Sequence, residues 1–234
     1  MQRRQFSAAL SLTPLLLLAA RARAQGLGLL AGISDTDANL GLKGALERGA
    51  MAAVQLLGRP DGFLGNPQVR IPLPGYLQDA AKLLTLLGQG RQVEELETSM
   101  NRAAENAVPL ATNLLMAAVR NMSVTDAKRI LTGGETSVTQ FFAGKTRRPL
   151  SREFLPVVRK ATANVGLKDK YEAVASKGVG LGLVKKEDAS VDHYVTRKAL
   201  DGLYFVIGEE EKKIRRDPVG AGSAIVEKVF GALR

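Results

Sequence analysis

Residues 93–122 read V-E-E-L-E-T-S-M-N-R-A-A-E-N-A-V-P-L-A-T-N-L-L-M-A-A-V-R-N-M, and this run decides the fold class. Val93, Leu96, Met100, Ala104, Ala107, Ala111, Leu114 and Ala118 recur at steps of three and four, the spacing of one helical face. Ala103, Leu110, Leu115, Met116 and Ala117 widen that face, and a helix apolar around most of its circumference is covered on several sides. Its alanines let neighbouring backbones come close. The pattern predicts a long helix from Val93 to Met122 at the centre of a bundle, kinked at Pro109, where a backbone donor is missing.

Outward from that run, helix signals repeat and no strand pattern of any length occurs. Ser34, Asp35 and Asp37 offer N-caps for a helix reaching Leu57, with Leu40, Leu46, Ala50, Ala53, Val54 and Leu57 on its apolar side and Gly58 at its end. Residues 58–75, G-R-P-D-G-F-L-G-N-P-Q-V-R-I-P-L-P-G, cannot continue a helix, because prolines and glycines interrupt it throughout. A helix is expected again over 76–88, with Leu77, Ala80, Leu83, Leu84 and Leu87 inward. Downstream, short helices are expected over 124–131 and 136–143, followed by others over 151–165 and 167–175. A Gly-rich connector, K-G-V-G-L-G-L-V-K-K, occupies 177–186. Asp192 opens a long helix to about Arg216 with Val195, Ala199, Leu203, Val206 and Ile207 inward, and a last short helix covers 223–233. The expectation is one all-α domain over 34–234, a bundle of about eight or nine helices.

Composition agrees with a packed helical core. Hydrophobic residues make up 45% and charged residues 24%, as in ordinary globular proteins, while aromatics are only 5% with no Trp. Leu, Val and Ala must therefore fill the interior. The absence of Cys excludes disulfides and thiolate metal sites.

Residues 1–24 have the three parts of a cleavable export signal: a basic start with Arg3 and Arg4, an apolar run over 6–20, and Ala22-Arg23-Ala24 as a small-x-small cleavage pattern. The apolar run falls short of the roughly 20 residues a spanning helix needs. Arg3-Arg4-Gln5-Phe6 resembles the twin-arginine export motif, with a general secretory signal as the alternative. Residues 25–33 then form a Gly/Leu-rich leader. The expected destination is the bacterial periplasm, after cleavage near Ala24. Of 33 basic residues four lie in the signal, leaving 29 against 23 acidic ones, a modest net of +6 that does not by itself indicate specific nucleic-acid binding.

Most catalytic and cofactor motifs fail on spacing. Gly144-Lys145-Thr146 echoes the end of a phosphate-binding loop, but Thr139 stands where that motif needs its first glycine and no strand precedes it. Gly178, Gly180 and Gly182 lack a dinucleotide-fold setting. The alternating oxygens of Asp35, Asp37 and Asn39 suggest a calcium loop, but Leu40 fills the slot that requires glycine, so a helix cap is the better reading. His193 is the single histidine and cannot make a multi-histidine metal site. No cofactor, metal or catalytic set is selected.

Two polar constellations remain. Asn101, Arg102 and Glu105 lie within one helical turn, with Arg102 reaching Glu105 at i, i+3. Glu210, Glu211 and Arg215 lie near the end of the penultimate helix, with Glu211 and Arg215 at i, i+4. They are candidates either for a pocket or for an interhelical polar cluster that fixes neighbouring helices.

Several strings together resemble a bacterial envelope family, domain of unknown function 4197. They are G-L-K-G-A-L-E-R-G-A (41–50), D-G-F (61–63), I-P-L-P (71–74), S-M-N-R-A-A-E (99–105), D-A-K-R-I-L (126–131) and Y-V-T-R-K-A-L-D-G-L-Y (194–204), with E-E-E-K-K-I-R-R-D-P (209–218) also fitting. The resemblance implies an exported helical envelope protein and no reaction. The leading functional expectation is a non-enzymatic binding or interaction module whose partner is an envelope protein, a lipid or an apolar small molecule. The alternatives are a hydrolase built on carboxylates and Arg102, and electrostatic binding to anionic lipid or nucleic acid through basic patches such as Lys145, Arg147 and Arg148.

Overall fold

The computed structural model describes residues 30–180 and 191–233; the segment expected to be an export signal, most of the expected leader and the second half of the glycine-rich connector lie outside them. Helix α1 (Asp35–Leu57) starts where Ser34 accepts the Asp37 N–H at 3.0 Å, so the acidic opening is a helix cap. Leu42, Leu46, Ala50, Ala53 and Leu57 line its buried side. Leu40, expected inward, is 52% exposed, because the buried stripe runs through Ala38 and Leu42 instead.

Residues 58–74 are irregular and lead into α2 (Gly75–Leu84), which passes through a π-helical turn (Thr85–Gln89) into α3 (Gly90–Ala107). The chain reverses at Gly88, whose φ of 76° a residue with a side chain rarely adopts. Leu87, expected inward, sits in this turn and is 60% exposed.

The long helix expected over 93–122 is two helices. Pro109 has no N–H to donate, and a 3₁₀ turn (Pro109–Ala111) separates α3 from α4 (Thr112–Asn121). Across this break the buried face changes. Leu96, Met100, Ala104 and Ala107 are buried as spaced, but beyond the turn Leu115 and Val119 are buried, Leu114 and Ala118 are half-buried, and Leu110 is 59% exposed.

A short α5 (Ala127–Leu131) precedes α6 (Ser137–Asn164), where a single helix replaces the two expected. Pro149 and Pro156 lie inside it. Both are exposed, seven residues apart on the outer side, while Phe142, Leu150, Phe154 and Val158 are buried opposite. The carbonyls of Lys145 and Arg152 that the prolines leave without a helical partner belong to exposed residues, within reach of water. The helix therefore continues past both. Helix α7 (Leu167–Gly180) extends into the segment expected as connector, so residues 177–180 are helical. Helix α8 (Val191–Arg216) buries all five positions expected inward, and α9 (Ala224–Gly231) ends the described chain.

Seven of these helices have ten residues or more, and there are no strands among the described residues. The all-α bundle is as expected, with its centre shared between two helices. Helix α8 packs along α1 and α6 and touches α3, while α3 packs on α6 and α7. Small residues set the closest approaches. A Cβ on Gly41 would come within 2.6 Å of Val229 on α9, and one on Gly202 within 2.7 Å of the Phe63 ring.

Candidate functional site

The first polar constellation sits on α3 where that helix meets the irregular stretch 58–74. Chain with so many prolines and glycines cannot satisfy its own backbone groups in a helix or sheet, and buried backbone groups need partners. Asn101 and Glu105, one turn apart, provide them. The Asn101 side-chain oxygen accepts the Ile71 N–H at 2.8 Å, and its amide donates to the Ile71 carbonyl at 2.9 Å and to the Glu97 carbonyl at 2.8 Å. Asn101 thus pairs with Ile71 as a neighbouring strand would. One oxygen of Glu105 accepts the N–H groups of Phe63 and Leu64, both at 3.0 Å. Its other oxygen accepts from Arg102 at 2.6 Å, and Arg102 also reaches Asp61 at 2.8 Å.

Glu105 is 3% exposed and Asn101 fully buried, whereas the Arg102 side chain keeps 34% of its surface. The hydrogen bond to Glu105 pushes the Arg102 guanidinium further above its ordinary value, against burial and with help from Asp61. The cluster is closed: Glu105 is 3% exposed and uses both oxygens on fixed donors.

The second constellation repeats the device elsewhere. Glu211 on α8 accepts the N–H groups of Val138 and Thr139 at 3.1 and 2.8 Å and the Thr139 hydroxyl at 2.7 Å. These are free donors in the first turn of α6, where a carboxylate is favoured by hydrogen bonding and by the helix dipole. Arg215, one turn along α8, holds Glu211 at 2.8 Å and donates to the Leu131 carbonyl and the Ser137 hydroxyl, both at 2.9 Å. Glu210 points elsewhere and pairs with Lys213 at 2.5 Å. The structure brings Asn101, Arg102 and Glu105 together, and separately Glu211 and Arg215. It does not join the two groups: one binds the 58–74 segment to α3, the other binds α6 to α8.

Immediately beyond Ile71, the pinned chain forms one wall of a shallow groove. Pro72, Leu73, Ala81, Thr85, Leu86 and Glu97 are among its lining residues, its volume is about 640 Å³, and its surface is mainly apolar. The wall is fixed three ways. Asn101 holds Ile71, the Tyr194 hydroxyl donates to the Pro72 carbonyl at 2.9 Å, and the Gln78 amide donates to the Leu73 carbonyl at 3.3 Å. On the other side Leu86 is 84% exposed, beside Leu87. Sequence reasoning missed this groove. The available signal was Leu86-Leu87 next to Gly88, two large apolar residues at a point where the helix was due to end.

Among the described residues no group of three or more acidic or histidine side chains is placed to hold a metal ion, and no helix is long and apolar enough to cross a membrane.

Fold and site together define an all-α bundle in which buried carboxylate–arginine pairs organise the scaffold beside an open apolar groove. Residues 32–231 match the family described as "Protein of unknown function (DUF4197)", and the chain belongs to that family. No curated protein and no solved structure matches it.

Proposed function

We propose that this is an exported interaction protein of the bacterial periplasm whose α2–α3 groove receives an apolar segment of another envelope protein. The observation that carries the reading is the groove itself, with Leu86 standing out in solvent on its lining and the exposed Leu87 next to it in the chain. Contiguous exposed apolar surface marks interaction sites. An open, shallow form favours a protein partner, because small-molecule sites enclose most of the ligand surface. Asn101, Arg102 and Glu105 then act at one remove, by holding 61–71 so that Pro72 and Leu73 stand in place. The export signal over 1–24 supports the compartment.

The hydrolase alternative loses support from the same geometry. A general acid or base must reach a substrate proton, and Glu105 is sealed by three hydrogen bonds. The test is a photo-crosslinking residue placed at the exposed Lys82, which also lines the groove, in cells. A discrete adduct with one envelope protein, lost when Leu86 and Leu87 are both changed to Ser, supports the proposal. No adduct, or one indifferent to that double change, rejects it. N-terminal sequencing of the mature protein tests the export step: a chain still starting at Met1 contradicts it.

A further inference from the structure

A different face carries a second kind of contact. On the outer side of α6, Lys145, Arg148, Arg152, Arg159 and Lys160 fall within one third of the helical circumference, by the turn of about 100° per residue. They span roughly 22 Å of axis at about 1.5 Å per residue. All five are exposed. Arg159 faces Asp192 at 3.8 Å, and Arg147, on a different side of the helix, is paired with Asp201 at 2.5 Å. Arg148, Arg152 and Lys160 have no ion pair with any described acid, and Lys145 rests its ammonium over the Phe141 ring at 5.8 Å. Glu153 is the one acid at the margin of the row.

Beside this row, between α4 and α6, lies a groove of about 350 Å³ with Leu114, Ala118, Pro149 and Leu150 in its lining and Lys145 and Glu153 at its mouth. We infer that the outer face of α6 docks the protein on an anionic phospholipid bilayer, the cations meeting headgroup phosphates and the α4–α6 groove receiving an acyl chain displaced from the leaflet.

Charge complementarity selects the partner. A row of cations, three of them without an ion pair to a described acid, fits a planar array of negative charge, and the groove beside it is apolar over its larger part, with Asn121, Ser123 and Thr146 also in its lining. Exposed rings for base stacking, which single-stranded nucleic-acid platforms use, are missing from the described part of this face. Of the described aromatic residues only Phe205 is prominently exposed, and it lies on α8. Attraction of a basic side chain to an anionic leaflet corresponds to about fivefold in binding for each residue, so a few cations give reversible association that salt weakens. This face is separate from the α2–α3 groove, and the inference stands without the proposal made for that groove.

The test is co-sedimentation of the full chain with vesicles of phosphatidylcholine, with or without phosphatidylglycerol. Four chains are compared: the native one, Arg148→Gln/Arg152→Gln, Leu150→Lys, and a control, Arg91→Gln/Arg129→Gln, which removes the same charge from exposed positions on other helices. Residues 1–24 are common to all, so differences between chains report on the folded part. The expected result is binding that requires phosphatidylglycerol and falls with salt. It should be about 25-fold weaker in the Arg148/Arg152 variant at about fivefold per cation, and nearly unchanged in the control. Circular dichroism establishes that each variant is folded; Leu150 is buried, so an unfolded Leu150→Lys is replaced by Ala118→Lys at the half-buried groove wall. Equal binding to neutral vesicles, equal losses in the control and the Arg148/Arg152 variant, or tighter binding to duplex oligonucleotide than to anionic vesicles each overturns the inference.

Discussion

Replacing Glu105 with Ala isolates the role of the α3 cluster. The carboxylate is 3% exposed and accepts the Phe63 and Leu64 amides together with Arg102. Its removal leaves the buried Phe63 donor and the half-buried Leu64 donor without an acceptor, at about 1–3 kcal/mol each. Arg102 loses its nearer partner but keeps Asp61 and a third of its surface in water, so its share is small. The expected loss is about 3–5 kcal/mol, the range for breaking a buried pair from one side. Arg102→Ala keeps both amide bonds and should cost about 1–2 kcal/mol, because the arginine is partly screened. Arg91→Ala, 89% exposed and paired only with Glu95, should cost under about 1 kcal/mol. Urea unfolding of the three variants gives the order directly. A Glu105→Ala loss no larger than that of Arg91→Ala would show that the carboxylate is not holding the loop, and the structural reading of the cluster would fail.

Three further outcomes are expected. Leu115→Ala should lose about 2–5 kcal/mol in urea unfolding and Leu114→Ala distinctly less, since beyond the break at Pro109 Leu115 is buried and Leu114 only half-buried; equal losses would mean the buried face continues through Pro109 unchanged. Glu211→Ala should destabilise by about 3–5 kcal/mol, and the loss should be accompanied by faster amide exchange at Val138 and Thr139; unchanged exchange there would remove Glu211 as the cap of α6. Asp37 has its carboxyl held below the ordinary range by its bond to Lys228 and then by Ser34. A carboxylate with a lowered folded-state value contributes stability above its unfolded value of about 3.9, and that contribution disappears as pH falls through the folded value. Asp37→Asn should therefore lower the melting temperature at neutral pH by an amount that shrinks below about pH 4; a difference independent of pH would argue against the Lys228 pairing.

The all-helical class was legible because apolar residues recur at helical spacing along nearly the whole chain. Helix boundaries were legible where a cap or a glycine fixes them, as at Ser34 and at Gly166, whose φ is 61°. Prolines misled in both directions. Pro109 does more than kink a helix, because the helix beyond the break buries a different face. Pro149 does less than expected: the helix runs on through the gap foreseen between 143 and 151, where the carbonyl it leaves unpaired belongs to the exposed Lys145. Spacing alone cannot tell these cases apart, since the difference lies in what surrounds each proline. The i, i+3 and i, i+4 spacings of the polar clusters gave the Arg102–Glu105 and Glu211–Arg215 pairs. Their partners are backbone N–H groups about 41 and 72 residues distant, and no side-chain pattern reports such groups. For the same reason the groove was invisible: its wall depends on Ile71 being pinned by Asn101 across 30 residues of chain.

The central claim is that Asn101 and Glu105 serve as fixed partners for an otherwise unpaired backbone, and so place the wall of the α2–α3 groove. Hydrogen exchange at the Ile71 amide in the native chain and in Asn101→Ala tests it most directly. The account requires strong protection of Ile71 in the native protein and its loss in the variant, while α8 amides such as Leu203 stay protected. Rapid exchange of Ile71 in the native chain, or protection that survives Asn101→Ala, would contradict it.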